Sequence, residues 1–86
     1  MADSTTIPDE LRIMLRKPVS LGDISVAELV LREPTAAQWQ EWDRLEGVEM
    51  DIAAVATVSG VPIAAVRMIG ARDLIQGARY ISRFLG

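Results

Sequence analysis

Leu29-Val30-Leu31-Arg32-Glu33-Pro34-Thr35-Ala36-Ala37-Gln38 divides the chain into two kinds of structure. Its first half alternates as a strand does, with Leu29 and Leu31 on one face and Val30 and Arg32 on the other. Pro34 has no N–H to give a β-ladder, and it biases Glu33 towards an extended backbone. Thr35 carries an N-cap side chain, and Gln38 follows three residues later, the spacing of a capping box. Leu31, Arg32, Glu33, Pro34, Thr35 and Gln38 thus form one structural motif: strand end, stop and helix start. The segment before it reads as β-structure and the segment after it as helix.

Working towards the N-terminus, the second strand extends back to Ile24, with Ala27, Leu29 and Leu31 on one face and Val26, Glu28, Val30 and Arg32 on the other. Ser20-Leu21-Gly22-Asp23 supplies turn residues. Before it, Leu11 to Lys17 alternates, with Leu11, Ile13 and Leu15 on one face, and Pro18 ends this first strand or sits at its edge. The two strands predict a hairpin over 11–33, with Glu28 and Glu33 placed to meet Arg12 and Arg16. Residues 1–10 are polar and are expected to be flexible. A lone hairpin is marginal in water, so its apolar face must lie on the helices.

Towards the C-terminus, the spacing predicts four helices within 35–86. The first runs from Ala36 to about Leu45, with Gly47 as its stop. Trp39 and Trp42, three apart, share one face of it. Either both pack on the sheet, or one is a partly exposed anchor for a partner. The second helix runs from about Val48 to Val58. It has a stripe of Val48, Ile52, Val55 and Ser59, flanked by Met50 and Ala56, and it ends at Gly60. A short third helix runs from Pro62 to Ile69. The last runs from Ala71 to Leu85, with Leu74, Ala78, Ile81 and Leu85 as its core stripe and Arg72, Gln76, Arg79 and Arg83 as a polar one. Asp73, Gly77, Tyr80 and Phe84 lie between the stripes. Gly77 either permits close packing or is a weak point in the helix. The fold class is α+β: an N-terminal hairpin packed on three to four short helices, forming a single domain over 11–86.

Composition narrows the chemistry. The 86 residues contain neither Cys nor His, which removes disulfides, thiolate ligands and the commonest general base. No Gly-rich phosphate loop is present, and Lys17 is the only lysine. Asp43, Glu46, Glu49 and Asp51 form an acidic run that reads as a solvated face at a helix start. The sequence therefore points away from an enzyme and offers no cofactor or metal site. The longest uncharged stretch, Ile52 to Val66, is interrupted by Gly60 and Pro62 and is too short to span a membrane. No secretory signal opens the chain. These features suggest a soluble intracellular protein. The net charge is −3, which is a poor default for nucleic-acid binding. Residues 1–59 carry five basic side chains against eleven acids, whereas 60–86 carry four against Asp73 alone.

Ala56, Gly60 and Val66 have the spacing of a helix-turn-helix. The expected recognition-helix start holds Pro62, Ile63, Ala64 and Ala65, and only Arg67 could reach a base edge. The spacing supports a tight helix pair, and a small DNA-binding regulator is kept as an alternative.

The order of features resembles a known family. Leu15-Arg16-Lys17-Pro18-Val19, the turn glycine Gly22, and Glu28-Leu29-Val30-Leu31-Arg32-Glu33-Pro34-Thr35 are followed by an acidic helix. Then come Gly60-Val61-Pro62 and an amphipathic helix ending in Phe84-Leu85. Over about residues 12–86 this is similar to the tail assembly chaperones of Mu-like and P2-like long-tailed bacteriophages and prophages. The resemblance implies a non-enzymatic protein that binds the tape measure protein and keeps it soluble until tail-tube subunits polymerise around it. Tail-tube protein is a possible second partner, recruited in many members by a longer frameshifted form. The implied location is the host bacterial cytoplasm, not the mature virion. A structural virion component is the remaining alternative. The expected client surface is the last helix, where Tyr80 and Phe84 offer an apolar edge and Arg72, Arg79 and Arg83 a basic one. Trp42 is a further contact. The competing reading makes that basic face solvated and gives the aromatics to the core. An exposed apolar face would also allow self-association into a homo-oligomer.

Overall fold

A computed structural model describes residues 6–86 and shows an α+β fold, a two-stranded antiparallel hairpin followed by four short helices. Strand β1 spans Glu10–Leu21 and β2 spans Ile24–Arg32. Helices α1, α2, α3 and α4 span Ala36–Gln40, Gly47–Ser59, Ile63–Val66 and Ala71–Ser82. The first five residues of the expected flexible segment lie outside the described residues. The next five are held in place: Ile7 packs on the core, and the Tyr80 hydroxyl donates to the Pro8 carbonyl at 2.6 Å.

The hairpin turns on Gly22-Asp23. Gly22 has φ +61° and Asp23 does not share the positive φ, the pattern of a type II′ turn. β1 is longer than the expected Leu11–Lys17, because Pro18 sits inside it and not at its end. The pairing shows how this is tolerated. Met14 faces Glu28 and Val19 faces Val26, so Leu15, Arg16, Lys17 and Pro18 together oppose Ala27 alone. The missing proline N–H falls where the ladder is already interrupted. The register changes by an odd number of residues across this irregularity, and an odd change exchanges the two faces of a strand. Val26 consequently joins Leu29 and Leu31 in the core, and Ala27 is exposed. The uninterrupted alternation expected for β2 had placed them the other way.

The irregularity leaves the Arg16 N–H without a strand partner, and α4 supplies one. Asp73, in the first turn of α4 and 2% exposed, accepts that N–H on Oδ2 at 3.0 Å. Its Oδ1 lies 3.5 Å from the Arg16 Nε. Arg16 therefore pairs with Asp73 and not with Glu33, which lies past the end of β2. On the outer face, Arg12 bonds Glu28 at 2.7 Å as expected, and Glu10 joins Arg12 and Arg32. These pairs are exposed and contribute only a few tenths of a kcal/mol each.

The capping box at the start of α1 forms in full. Thr35 Oγ1 accepts from the Gln38 N–H at 3.1 Å, and Gln38 Oε1 accepts from the Thr35 N–H at 2.9 Å. α1 stops at Gln40 and not near Leu45, and the chain continues in tight turns through Trp42 and Leu45. Gly47, with φ +61°, forms the corner into α2.

α2 is the central helix, in contact with β2, α1, α3 and α4. Four consecutive residues, Ala53 to Ala56, are buried. Successive residues are about 100° apart on a helix, so four in a row cover its whole circumference. The expected one-sided stripe is corrected accordingly: Val48 is exposed, and small alanines let neighbours approach from every side. The third helix is one turn, shorter than the expected Pro62–Ile69, with Ala65 and Val66 buried and Ile63 exposed.

The core face of α4 is rotated from the expected Leu74–Ala78–Ile81–Leu85 stripe. Asp73, Leu74, Gly77, Tyr80 and Ile81 are buried, whereas Ala78 and Leu85 are only partly so. Gly77 sets the rotation. A Cβ placed there would lie 3.0 Å from Leu31 Cδ1 and 3.3 Å from Val55 Cγ2, so the helix backbone rests directly on β2 and α2. Gly77 is a close-packing position.

Two pairs of substitutions test this packing, all read from the denaturant midpoint. Asp73→Ala should cost about 2 kcal/mol by leaving the Arg16 N–H unpaired, whereas Arg16→Ala should cost under about 1 kcal/mol because that side chain is largely solvated. Gly77→Val should cost about 2 kcal/mol or more by overpacking, and Gly70→Ala, with open space at its Cβ, should stay within about 0.5 kcal/mol of the parent.

Candidate functional site

The proposed contact residues separate into two groups. Tyr80 is 4% exposed and Trp42 is 2% exposed, so both belong to the core and not to an accessible surface. Phe84 is half-buried and meets Tyr80 edge-on, with ring centroids 5.3 Å apart. The pair closes the core over the N-terminal segment. Arg72, Arg79 and Arg83 remain a solvent-facing stripe, and Arg83 also donates to the Thr6 carbonyl at 3.3 Å. The contact between Tyr80 and Pro8 explains why this flank of α4 is occupied by the protein's own chain.

The exposed tryptophan is Trp39, at 42%. One tryptophan is thus core and the other surface, with Trp39 exposed in place of Trp42. The local sequence carries a signal for this choice. Each tryptophan has the other three residues away, but Trp42 also has Leu45 three residues on, whereas the remaining neighbours of Trp39 at helical spacing are Thr35, Ala36 and Asp43.

Trp39 stands at one end of an open groove. On the α2 side the groove is lined by Met50, Asp51 and Ala54, which recur at i, i+1 and i+4. On the α4 side it is lined by Ala78, Ser82 and Leu85, and Ile75 and Arg79 continue it past Asp51. Trp42 and Ile81 form its floor, and Asp43 stands beside Trp39. The groove therefore follows the flank of α4 opposite to Tyr80 and Phe84. Its residues were visible in the sequence as half of the expected core stripe, Ala78 and Leu85. The rotation imposed by Gly77 leaves that half at the surface.

The shape suits a macromolecule better than a metabolite. The two hollows between α2 and α4 measure about 90 and 190 Å³, below the roughly 300 Å³ at which small-molecule pockets begin. A larger hollow of about 400 Å³ beside Trp39 is lined by residues 36–43 alone, so no second element encloses it. Among the described residues, no three His, Cys, Asp or Glu side chains converge as metal ligands would. Among the same residues, no helix is long and apolar enough to cross a membrane.

The helix pair expected from Ala56, Gly60 and Val66 is present. Gly60 has φ +78°, and its N–H donates to the Ala56 carbonyl at 2.9 Å. Its second helix is a single turn that shows Ile63 and Met68 to solvent beside Arg67. That surface has too few donors to read base edges. No protein-family model matches the chain, and no significant match is found among curated proteins or solved structures.

The Tyr80 phenol has a raised pKa. Burial pushes its phenol above the ordinary value near 10, and the charges of Asp9 and Glu10 push the same way against the weaker pull of Arg32 and Arg83. The folded state thus holds the neutral phenol more tightly than the unfolded state does. Stability from this site should be complete below about pH 10 and fall as the pH rises through the folded value. Denaturant midpoints measured from pH 8 to 11.5 should show this fall. Tyr80→Phe should lower the midpoint at pH 8 and flatten the alkaline decline. Absorbance of the single tyrosine should titrate above pH 10.

Proposed function

We propose that this protein is a non-enzymatic assembly chaperone of the phage-tail type. Its client is the tape measure protein, which it keeps soluble in the host cytoplasm until the tail tube grows around it. The observation that supports this reading is the open apolar groove from Trp39 along α2 and α4. A protein that holds a long helical client needs a surface that accepts amphipathic helices and releases them, and a groove between two helices has that form. The resemblance carried by Glu28 to Thr35 and by the Gly60-Val61-Pro62 break supplies the identity of the client. The sequence contributes no His or Cys with which to build common catalytic machinery.

The surface assignment differs from the one drawn from the last helix alone. Tyr80 and Phe84 secure the N-terminal segment, and client contact passes to Trp39, Met50, Ala78 and Leu85. Tail-tube protein is the natural second partner in this role. Met68 and Ile63, exposed on the side of α3, are available to it or to a second copy of the chain.

Co-expression with the tape measure protein of the same phage or prophage tests the proposal. The two should co-purify, and the soluble fraction of the client should rise several-fold. Trp39→Ala should weaken co-purification while leaving the far-UV circular dichroism unchanged, because the side chain lies at the surface. Mass spectrometry of purified particles should find the chain absent. Co-purification that fails with the parent protein, or a stoichiometric presence in particles, would overturn the assignment.

A further inference from the structure

The groove is mainly apolar where Trp39, Met50, Ala54, Ala78 and Leu85 line it and mixed where Asp51, Ile75, Arg79 and Ser82 do, and its two rims differ in charge. Asp43 and Asp51 stand on the α1–α2 rim, and neither makes an ion pair among the described residues. They belong to the most acidic part of the chain: from Glu33 to Val66 there are six acidic side chains against Arg44 alone. The α4 rim carries Arg79, which shares a stretch of the groove with Asp51 without pairing to it. Glu10 and Glu28, by contrast, are engaged with Arg12 and Arg32. The rim carboxylates are left with nothing of their own to bind. Between the rims, Ala54 and Ala78 keep the floor low, so that a helix backbone can approach closely.

We infer that the groove receives a cationic amphipathic helix, its apolar stripe on Trp39, Met50, Ala78 and Leu85 and its Lys or Arg flank against Asp43 and Asp51. This deepens the chaperone reading and rests on it for the claim that a helix is the client. The groove supplies contact area, and the rim supplies orientation. A helix docked in the reverse direction, or rolled about its axis, would set its cations against Arg79 and leave the two aspartates unmet. Rim charges of this kind act mainly on association rate and register, and they weaken as salt rises. An anionic helix of the same hydrophobicity is disfavoured by the same rim.

The test uses the full chain and two synthetic 18-residue amphipathic peptides. They share one Leu/Ala stripe and differ only in flanks of Lys or Glu. Trp39 fluorescence reports occupancy, with Trp39→Phe as the blank for the signal of buried Trp42. The Lys-flanked peptide should bind at least about tenfold more tightly at 50 mM salt, and the gap should narrow to about twofold at 500 mM. The double variant Asp43→Asn/Asp51→Asn should reduce the preference about fivefold or more with its thermal midpoint unchanged, since Asp43 is exposed and the half-buried Asp51 makes no ion pair among the described residues. Equal binding of the two peptides, preference for the Glu-flanked one, or no binding of either would overturn the inference. So would concentration-dependent self-association that quenches Trp39, because a second copy would then be the occupant. If the tape measure protein co-purifies while the peptides show no preference, the charge assignment fails and the chaperone reading stands. If the Lys-flanked peptide is preferred while the tape measure protein is ignored, the groove's specificity stands and the client is a different cationic helix.

Discussion

The fold depends on one buried carboxylate meeting one unpaired backbone N–H. A two-stranded hairpin has too little apolar surface to persist alone, and this one also carries a proline within a strand. The cost of that interruption is an N–H at Arg16 that β2 cannot reach. Asp73 satisfies it from α4, through a single bond whose partners are 57 apart in sequence. The carboxylate is also in the first helical turn, where a negative charge suits the helix dipole. One side chain therefore favours the start of a helix, repairs a strand and fixes the position of the helix against the sheet. With α4 so fixed, Gly77 can rest on Leu31 and Val55, and the remaining core follows.

How far the sequence revealed this depended on whether a rule was local. The Thr35–Gln38 capping box is a relation between residues three apart, and it is found with both hydrogen bonds in place. The hairpin and its Gly22 turn were legible for the same reason. Val26 was not, because its face depends on a register change produced on the opposite strand at Leu15 to Pro18. Nor was the burial of Ala53 to Ala56, since a helix surrounded on all sides shows no stripe to detect. Asp73 was placed between the two stripes of the last helix, and only the tertiary structure shows the strand N–H it serves. The candidate site was half visible. Ala78 and Leu85 were recognised as apolar, but their exposure follows from a rotation of α4 by the glycine at 77. The two tryptophans were expected on one helix, but α1 ends at Gln40 and only Trp39 lies on it; Trp42 is in the turns that follow.

Stability and the proposed binding thereby fall to different sides of the same helix. One flank of α4 holds Tyr80 and Phe84 against the N-terminal segment, and the other lines the groove with Ile75, Ala78 and Leu85. Small residues serve both purposes. Ala53 to Ala56 allow four elements to pack around α2, and Ala54 at the edge of that cluster lowers the floor of the groove. Substitutions on the groove side can consequently vary contact chemistry without disturbing the bond between Asp73 and β1.

The tether of residues 6 to 8 to Tyr80 and Arg83 has a topological consequence. It brings the described start of the chain beside its last helix, so the two ends of the fold are neighbours in space. A short linker can then join residue 86 to residue 6, and new termini can be opened at the exposed Gly22-Asp23 turn. The resulting permutant would run from β2 through the helices and into β1. It would keep every pairing while making the hairpin the last element to close, and it would convert the most local contacts of the fold into the most distant ones along the chain.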